Sequence, residues 1–245
     1  MADLPYVGAG VLASAVGMDK GLMKSVFRQA GLPVPNYLIF LRRDWESAPG
    51  TVRRRVQEEI GYPCFVKPAN LGSSVGISKV HTPDELGPAM DLAAAYDRRS
   101  IVEVNVDGRE LECSVLGNDE PIASVPGEVV PCEEFYSYKA KYVAQDSRLL
   151  IPAPLPPEVA SRIQDLAVRA FKAVDGAGLA RVDFFLTHGG QEVLVNEINT
   201  MPGFTGISMY PKLWEASGLK YADLVDRLLE LALERHADRQ RSRVL

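Results

Sequence analysis

The sequence has 245 residues, of which 47% are hydrophobic and 24% charged, as expected for a globular protein of one large or two modest domains. A formal net charge of −5 argues against a nucleic-acid-binding surface. The three cysteines show no Cys-x-x-Cys spacing, which argues against a disulfide framework or a zinc site and fits a reduced, cytoplasmic location. No signal-peptide pattern or membrane-length apolar run is seen, so we expect no membrane partner.

The first part of the chain is predicted to alternate strands and helices. Lys20 lies in the first turn of a predicted helix in which Leu22, Val26 and Ala30 follow the spacing i, i+4 and i+8. The helix dipole disfavours a cation there, so Lys20 is compatible with a bound anion as well as with an ordinary surface lysine. Predicted strands cover residues 4–10, 37–41, 64–68, 77–80 and 101–104, and predicted helices cover 18–30, 51–60 and 83–96.

A segment of small residues follows the strand at 64–68, which ends in Lys67. Two glycines and two serines lie within residues 70–77, and their backbone N–H groups can cradle a phosphate. The pattern matches neither the dinucleotide fingerprint nor the Walker motif. The segment therefore indicates either a phosphate-binding hairpin beside Lys67 or a flexible turn without a ligand.

The second part of the chain begins with a predicted antiparallel meander and ends with helices. Residues 132–148 fit neither the helical nor the strand period and contain four aromatic residues, which is typical of a functional lid. Predicted strands cover 109–116, 121–125, 127–130, 180–186 and 193–198, and predicted helices cover 158–175, 213–217 and 221–235. The tail from His236 is expected to be frayed.

The strands at 180–186 and 193–198 are predicted to form a hairpin around the turn at 188–190. A loop of about three residues sets Arg181 opposite Glu197, with Asp183 as a diagonal neighbour. Strand alternation places Glu197 and Asn199 on one face, together with Val193 and Val195.

These polar groups form an oxygen-rich cluster at the end of a strand. Carboxylate and carboxamide oxygens are the ligands that hard cations such as Mg²⁺ prefer, so Asp183, Glu197 and Asn199 are candidate metal ligands with Arg181 beside them. The alternative is a surface hairpin with an ordinary ion pair. An ordinary ion pair, however, does not explain why Asn199 and the loop that starts at Pro202 follow the strand.

Taken together, these segments resemble the ATP-grasp superfamily and, within it, the D-alanine–D-alanine ligase family. The resemblance extends over nearly the whole chain. The matching segments are residues 10–14, 18–20, 66–68, 72–76, 133–142, 181–183 and 196–205. It implies an α+β ATP-grasp fold in which two α+β subdomains grip a nucleotide between antiparallel sheets. The implied units are a remnant of an N-terminal domain and linker at 1–17, a central subdomain at 18–106, and a C-terminal subdomain with the metal and substrate site at 107–245.

The resemblance also implies a role for each matching residue, and it implies ATP and two Mg²⁺ or Mn²⁺ ions as cofactors. The residues similar to the family's ATP contacts are Lys20, Lys67, Ser73, Ser74 and Lys141 at the phosphates, Glu103 and Val106 at the adenine, and Glu110 at the ribose. The implied metal ligands are Asp183, Glu197 and Asn199. The implied catalytic and substrate-binding residues are Arg181, Ser73, Tyr142, Gly203 and Ser208.

The implied activity is ATP-dependent ligation of two D-alanines through an acyl phosphate, in the synthesis of peptidoglycan precursors. Family members carry a further N-terminal domain that completes the first-substrate site, and we expect this chain to lack it. D-alanine is the expected small-molecule partner, and a homodimer is expected for the full-length protein. Two alternatives stay open: an ATP-binding module with little ligase activity alone, and a ligase that uses D-lactate or D-serine as second substrate. Tyr142 after Lys141 resembles the D-alanine pattern.

Overall fold

The computed structural model of the protein describes residues 3–72, 74–130, 148–187, 189 and 192–242. Its helices are α1 (Val11–Met18), α2 (Lys20–Gln29), α3 (Arg42–Ser47), α4 (Pro49–Glu59), α5 (Leu86–Tyr96), α6 (Pro157–Ala173), α7 (Met209–Ala216) and α8 (Tyr221–Gln240). Its strands are β1 (Tyr37–Leu41), β2 (Cys64–Pro68), β3 (Ser78–Val80), β4 (Arg99–Val104), β5 (Gly108–Gly117), β6 (Ile122–Ala123), β7 (Gly127–Val130), β8 (Arg148–Leu150), β9 (Gly178–Thr187) and β10 (Val193–Asn199).

The first sheet has four strands in the order β1-β4-β2-β3, and each described pair is antiparallel. Helices α4 and α5 cover one face of this sheet. Val56 of α4 and Met90 of α5 join Val66 and Val102 of the strands in one buried cluster. Burial of these apolar side chains removes them from water and holds the helices on the sheet.

The second sheet runs β10-β9-β5-β7-β8, with β6 paired to β5, and its described pairs are also antiparallel. Helix α6 packs on this sheet through Phe171, and α2 packs beside it through Phe27. Both aromatic side chains lie in one cluster with Val182 and Phe184 of β9. Helices and antiparallel sheets together confirm the predicted α+β class.

The start of the chain differs from the prediction. Residues 4–10 form no strand, and α1 lies where no helix is predicted. The predicted helix 18–30 is present as α2, which begins at Lys20, after Asp19. Asp19 has an extended backbone, and its carboxylate accepts a hydrogen bond from the backbone N–H of Leu22 at 2.8 Å. This N-cap starts a new helix because it satisfies a backbone N–H group that lacks a partner within the first turn.

The apolar stripe predicted for α2 is buried only in part, through Val26, which packs against the core of the second sheet. Leu22 is exposed, whereas Met23, Lys24 and Phe27 are buried. At the other end of the chain, α8 continues to Gln240, five residues beyond its predicted end. The Gln240 side chain donates a hydrogen bond to Asp3 at 2.7 Å.

The two sheets follow one another along the chain. The predicted division between residues 106 and 107 falls in the connection between β4 and β5. Helix α2, however, packs Met23 and Phe27 into the core of the second sheet, although the sequence groups it with the first. The subdomain boundaries therefore stay a prediction. Among the residues described, no helix combines the length and the apolar character needed to cross a bilayer.

Candidate active site

A cleft of about 560 Å³ lies between the two sheets. All six predicted ATP contacts within the described residues line it, namely Lys20, Lys67, Ser74, Glu103, Val106 and Glu110. Glu197, a predicted metal ligand, lines it from the second sheet. Lys79 of β3 adds a further lysine that the sequence reasoning did not assign. Cations from the first sheet and α2 therefore line one side of the cleft, and carboxylates of the second sheet line the other.

The segment of small residues after β2 forms one wall of this cleft. Its base is fixed by Lys20, whose backbone N–H donates to Ala69 at 2.9 Å and whose ammonium donates to the carbonyl of Leu71. Gly76 has φ +70°, and a Cβ there would lie 2.8 Å from the ring of Pro68. Only glycine fits this close approach without strain. The glycine thus allows the backbone of the turn to lie close to β2 and beside Lys67.

A buried ion cluster lies at the floor of the cleft. Glu103 is only 3% exposed, and its Oε2 accepts a hydrogen bond from Lys67 while its Oε1 lies 3.1 Å from the ammonium of Lys24. Burial alone would raise the pKa of Glu103, but the two lysines outweigh it and lower this pKa to about 2. Burial also lowers the pKa of Lys67, and Glu103 outweighs that effect and raises it. Lys67 is thus held as a cation at the cleft.

Glu103 therefore has a position that the resemblance does not describe. Its carboxylate contacts two lysines, so its predicted adenine contact would have to share oxygens already engaged by those cations. The apolar spacing of Leu22, Val26 and Ala30 does not indicate that Lys24 is buried. A stripe through Met23 and Phe27, with the spacing i and i+4, would have placed Lys24 on the buried face.

The hairpin of β9 and β10 has a different register from the predicted one. Asp183 lies directly opposite Glu197, and Arg181 lies opposite Asn199. The prediction that Arg181 faces Glu197 is therefore wrong. Two features shift the register from the predicted one. The connection between the strands has five residues, 188–192, and a bulge at Asn196 adds one more residue to β10.

The bulge also overturns the predicted face of β10. Val193 and Val195 lie in the core cluster, and so does Ile198, which follows Val195 by three residues. A regular strand would put Ile198 on the other side, because side chains alternate. The extra residue at the bulge reverses the alternation, so Glu197 turns away from the core and toward the cleft.

Arg181 is the cation of the second sheet. Its guanidinium donates to both oxygens of Asp183, at 2.7 and 2.8 Å, and its Nε lies 3.1 Å from Glu112. Burial opposes the charge of Arg181, but Asp183 and Glu112 outweigh it and raise its pKa. Glu112 of β5 pairs with Asp183, which pairs with Glu197, so three carboxylates form one row across three neighbouring strands.

The donors at this row suit a hard cation in type. Asp183 and Glu197 supply carboxylate oxygens from opposed positions, and Asn199 follows on the same strand with an amide oxygen. Within the described part of the chain, no group of three His, Cys, Asp or Glu residues has the geometry of a metal site. The Asn199 amide oxygen accepts the backbone N–H of Met201 at 3.1 Å. The donor set fits Mg²⁺ or Mn²⁺, and its role as a metal site stays a prediction.

The loop after β10 brings together two further predicted residues. A Cβ at Gly203 would lie 3.0 Å from the hydroxyl oxygen of Ser208, so the two residues are in contact. The Ser208 hydroxyl accepts the backbone N–H of Thr205 at 3.1 Å. Gly203 and Ser208 lie in the loop that follows Asn199, and Arg181 is the cross-strand partner of Asn199. Their substrate contacts stay a prediction.

Three predicted residues, Ser73, Lys141 and Tyr142, lie outside the described residues, as does the predicted lid except for Arg148. Arg148 itself begins β8, so the last residue that the sequence assigns to the lid lies in a strand.

Solved structures identify the class of protein that this fold and cleft define. The chain resembles the D-alanine-D-alanine ligase from Coxiella burnetii with a TM-score of 0.85 and 44% identity, over 97% of this chain and 63% of that one. It resembles the VanG D-Ala:D-Ser ligase from Enterococcus faecalis with a TM-score of 0.85 and 38% identity, over 94% of this chain and 66% of that one. The fold is that of the ATP-grasp ligases.

Sequence comparison gives the family. Residues 26–230 match the family model described as D-ala D-ala ligase C-terminus, and the chain belongs to this family. A curated relative, the D-alanine--D-alanine ligase of Heliobacterium modesticaldum, is 58% identical over 241 residues, which are 98% of this chain and 66% of the relative. The chain thus spans about two thirds of the length of the curated relatives it matches.

Proposed function

We propose that this chain binds ATP with a divalent metal and carries the catalytic centre of a D-alanine–D-alanine ligase. The observation that carries the proposal is that Lys67 of the first sheet and Glu197 of the second sheet line one cleft. Phosphoryl transfer requires positioning and charge neutralisation rather than a covalent protein nucleophile. A cleft with lysines on one wall and metal-type oxygens on the other supplies both.

The proposed reaction has two steps. A carboxylate oxygen of the first D-alanine attacks the γ-phosphorus of ATP, ADP leaves, and an acyl phosphate forms. The amine of the second D-alanine then attacks the acyl carbon, phosphate leaves with the original carboxylate oxygen, and the peptide bond remains. Bound Mg²⁺ or Mn²⁺ would neutralise the phosphate charge and orient its oxygens.

The residues of this chain have distinct roles in that scheme. Lys20 and Lys67 hold the phosphates, and the segment that contains Ser74 covers them with backbone N–H groups. Val106 and Glu110, on the cleft wall, contact the adenosine. Asp183, Glu197 and Asn199 would hold the metal. The guanidinium of Arg181 and the backbone of Gly203 stabilise the oxyanion that forms when the amine attacks, and Ser208 holds the acceptor carboxylate.

The relatives favour D-alanine as both substrates. The Heliobacterium and Coxiella proteins, which are 58% and 44% identical to this chain, are named for D-alanine alone. The structural neighbour named for D-serine is 38% identical. A homodimer stays a prediction.

Calorimetry of the purified chain with ATP tests the nucleotide site. We expect binding that requires Mg²⁺ and that weakens about tenfold to a hundredfold in Lys20→Ala, because a charge-assisted hydrogen bond contributes about 1.5–3 kcal/mol. Lys172→Ala is the matched control, because Lys172 is exposed on α6 and its nearest acidic partner is the surface residue Glu120. A folded chain that does not bind Mg·ATP contradicts the proposal.

An isotope experiment tests the chemistry. D-alanine labelled with ¹⁸O in its carboxylate should transfer one labelled oxygen to the released phosphate, since that oxygen bridges carbon and phosphorus in the acyl phosphate. D-alanyl-D-alanine should appear in equal amount. ATP hydrolysis that does not depend on D-alanine and releases unlabelled phosphate would instead define an ATPase.

A further inference from the structure

Lys24 is a fully buried lysine outside the set of residues with an assigned role. It is 1% exposed, although lysine is among the residues least often buried. Its ammonium donates to the backbone carbonyl of Asn196 at 2.9 Å and lies 3.1 Å from Oε1 of Glu103. Glu103 belongs to β4 of the first sheet and Asn196 to β10 of the second. One side chain of α2 therefore contacts both sheets.

Each of the two residues that Lys24 contacts is next to a charged group of the cleft: Glu103 binds Lys67, and Asn196 precedes Glu197. Glu103 binds Lys24 through one oxygen and Lys67 through the other, so the position of Lys24 fixes the counter-ion of the phosphate lysine. Asn196 is the bulged residue immediately before Glu197, and the bulge is what turns Glu197 toward the cleft. A single ammonium thus lies between the cationic and the carboxylate sides of the cleft.

Helix α2, which carries Lys24, is fixed in place by three further contacts. Met23 is fully buried, and its sulfur accepts the backbone N–H of Ile198, one residue beyond Glu197, at 3.4 Å. Phe27, one turn further along, is fully buried in the core of the second sheet. At its first residue, Lys20 binds the carbonyl of Leu71 in the cleft loop. The helix contacts the bulged strand, the cleft loop and the first sheet.

We propose that Lys24 is a positioning residue that sets the separation between Lys67 and Glu197, and thereby the fit of the cleft to a metal–nucleotide pair. This inference rests on the proposed function, in which Lys67 holds phosphate and Glu197 holds metal. A lysine that served only as a counter-ion for Glu103 would need no bond to Asn196. The bond to the bulge carbonyl is the contact that distinguishes positioning from charge balance.

The test uses Lys24→Met, which keeps most of the side-chain volume and removes the charge, with Lys172→Met as the control. Binding of ATP is measured by calorimetry with and without Mg²⁺, and amide exchange is measured in the nucleotide-free proteins. We expect Lys24→Met to bind Mg·ATP at least about tenfold more weakly. The loss should be smaller for ATP alone, because only the metal-bound nucleotide engages both sides. Exchange at Glu197 and Ile198 should be faster than in the parent.

The variant Lys24→Met with Glu103→Gln separates positioning from charge balance. If removal of both charges restores slow exchange at Glu197 and Ile198, Lys24 serves only as a counter-ion and the inference is overturned. Continued fast exchange supports it, because the bond to the Asn196 carbonyl is still missing.

Two further outcomes are decisive. Parent-like Mg·ATP affinity and parent-like exchange in a folded Lys24→Met protein overturn the inference. If Lys24→Met does not fold, Lys24→Leu, which also lacks a donor group, replaces it with the same expectations, and failure of both to fold assigns Lys24 to the fold instead. A parent chain that does not bind Mg·ATP contradicts the proposed function, whereas the exchange measurement still tests the role of Lys24.

Discussion

Asp183 lies directly opposite Glu197 across β9 and β10, and the guanidinium of Arg181 binds both oxygens of Asp183. Directly opposed side chains have Cβ atoms about 4.5–5.5 Å apart, a distance at which like charges destabilise a sheet. Arg181 offsets part of this repulsion from one side. A divalent cation between the two carboxylates would offset more of it, which leads to the first two predictions.

Glu197→Gln should weaken metal-dependent ATP binding without destabilising the protein. The amide keeps the shape of the side chain and removes a charge that repels Asp183 but attracts Arg181 and Lys67, so the melting temperature should change little. Mg·ATP affinity should fall at least about tenfold. Calorimetry and thermal unfolding measure the two effects. Glu192→Gln, at the exposed end of the same hairpin, is the control. A collapse in stability would make Glu197 a structural residue.

Arg181→Ala should be strongly destabilising and should respond to Mg²⁺. Removal of the guanidinium leaves Asp183 and Glu112 without their shared cation, and loss of one partner from a largely buried ion cluster costs about 3 kcal/mol. Millimolar Mg²⁺ should recover part of this loss by binding between the carboxylates. Urea unfolding with and without Mg²⁺ measures both effects.

The control for that prediction is Arg169→Ala. Arg169 forms an exposed pair with Asp165 one helical turn away, which contributes less than about 0.5 kcal/mol. If Arg181→Ala gains no more stability from Mg²⁺ than this control, the row of carboxylates does not bind the metal.

Glu103→Gln should be less stable than the parent by a margin that depends on pH. The folded-state pKa of Glu103 is lowered from its ordinary value of 4.5 to about 2, so its carboxylate stabilises the fold above pH 4.5. The margin at pH 7 should be on the order of 3 kcal/mol, because two buried lysines lose their counter-ion. It should shrink as the pH falls from 4.5 toward 2. Urea unfolding of both proteins at several pH values measures it, and a constant margin would contradict the assignment.

Cys64 and Cys113 should resist alkylation in the folded protein. Both are fully buried in the two sheets, and burial raises the pKa of the Cys64 thiol to about 11 and that of Cys113 to about 12. The reactive thiolate is therefore scarce at pH 8 as well as shielded. Iodoacetamide should modify both at least about a hundredfold more slowly than in guanidinium chloride, as judged by peptide mass spectrometry. Rapid labelling of either in the native protein would show that its sheet opens readily.

The sequence by itself determined most of the strands and several of the cleft residues. The predicted strands at 37–41 and 64–68 match β1 and β2, and the hairpin around residue 189 is present. These features depend on local information: β-branched runs, turn residues and the position of Lys67 at the end of its strand. The resemblance added roles for residues such as Glu110 and Val106, which the structure places at the cleft.

Only the tertiary structure decided the register of the hairpin of β9 and β10 and the place of Lys24. A bulge at Asn196 changes which residue faces Asp183, yet no local propensity marks one residue of a strand as the extra one. Helix α2 carries apolar residues on two stripes, and the stripe with Met23 and Phe27 is buried because it meets the second sheet. Packing between elements distant in sequence selects one of several locally equivalent arrangements, and here that selection also brings Lys24 against Asn196 and Glu103.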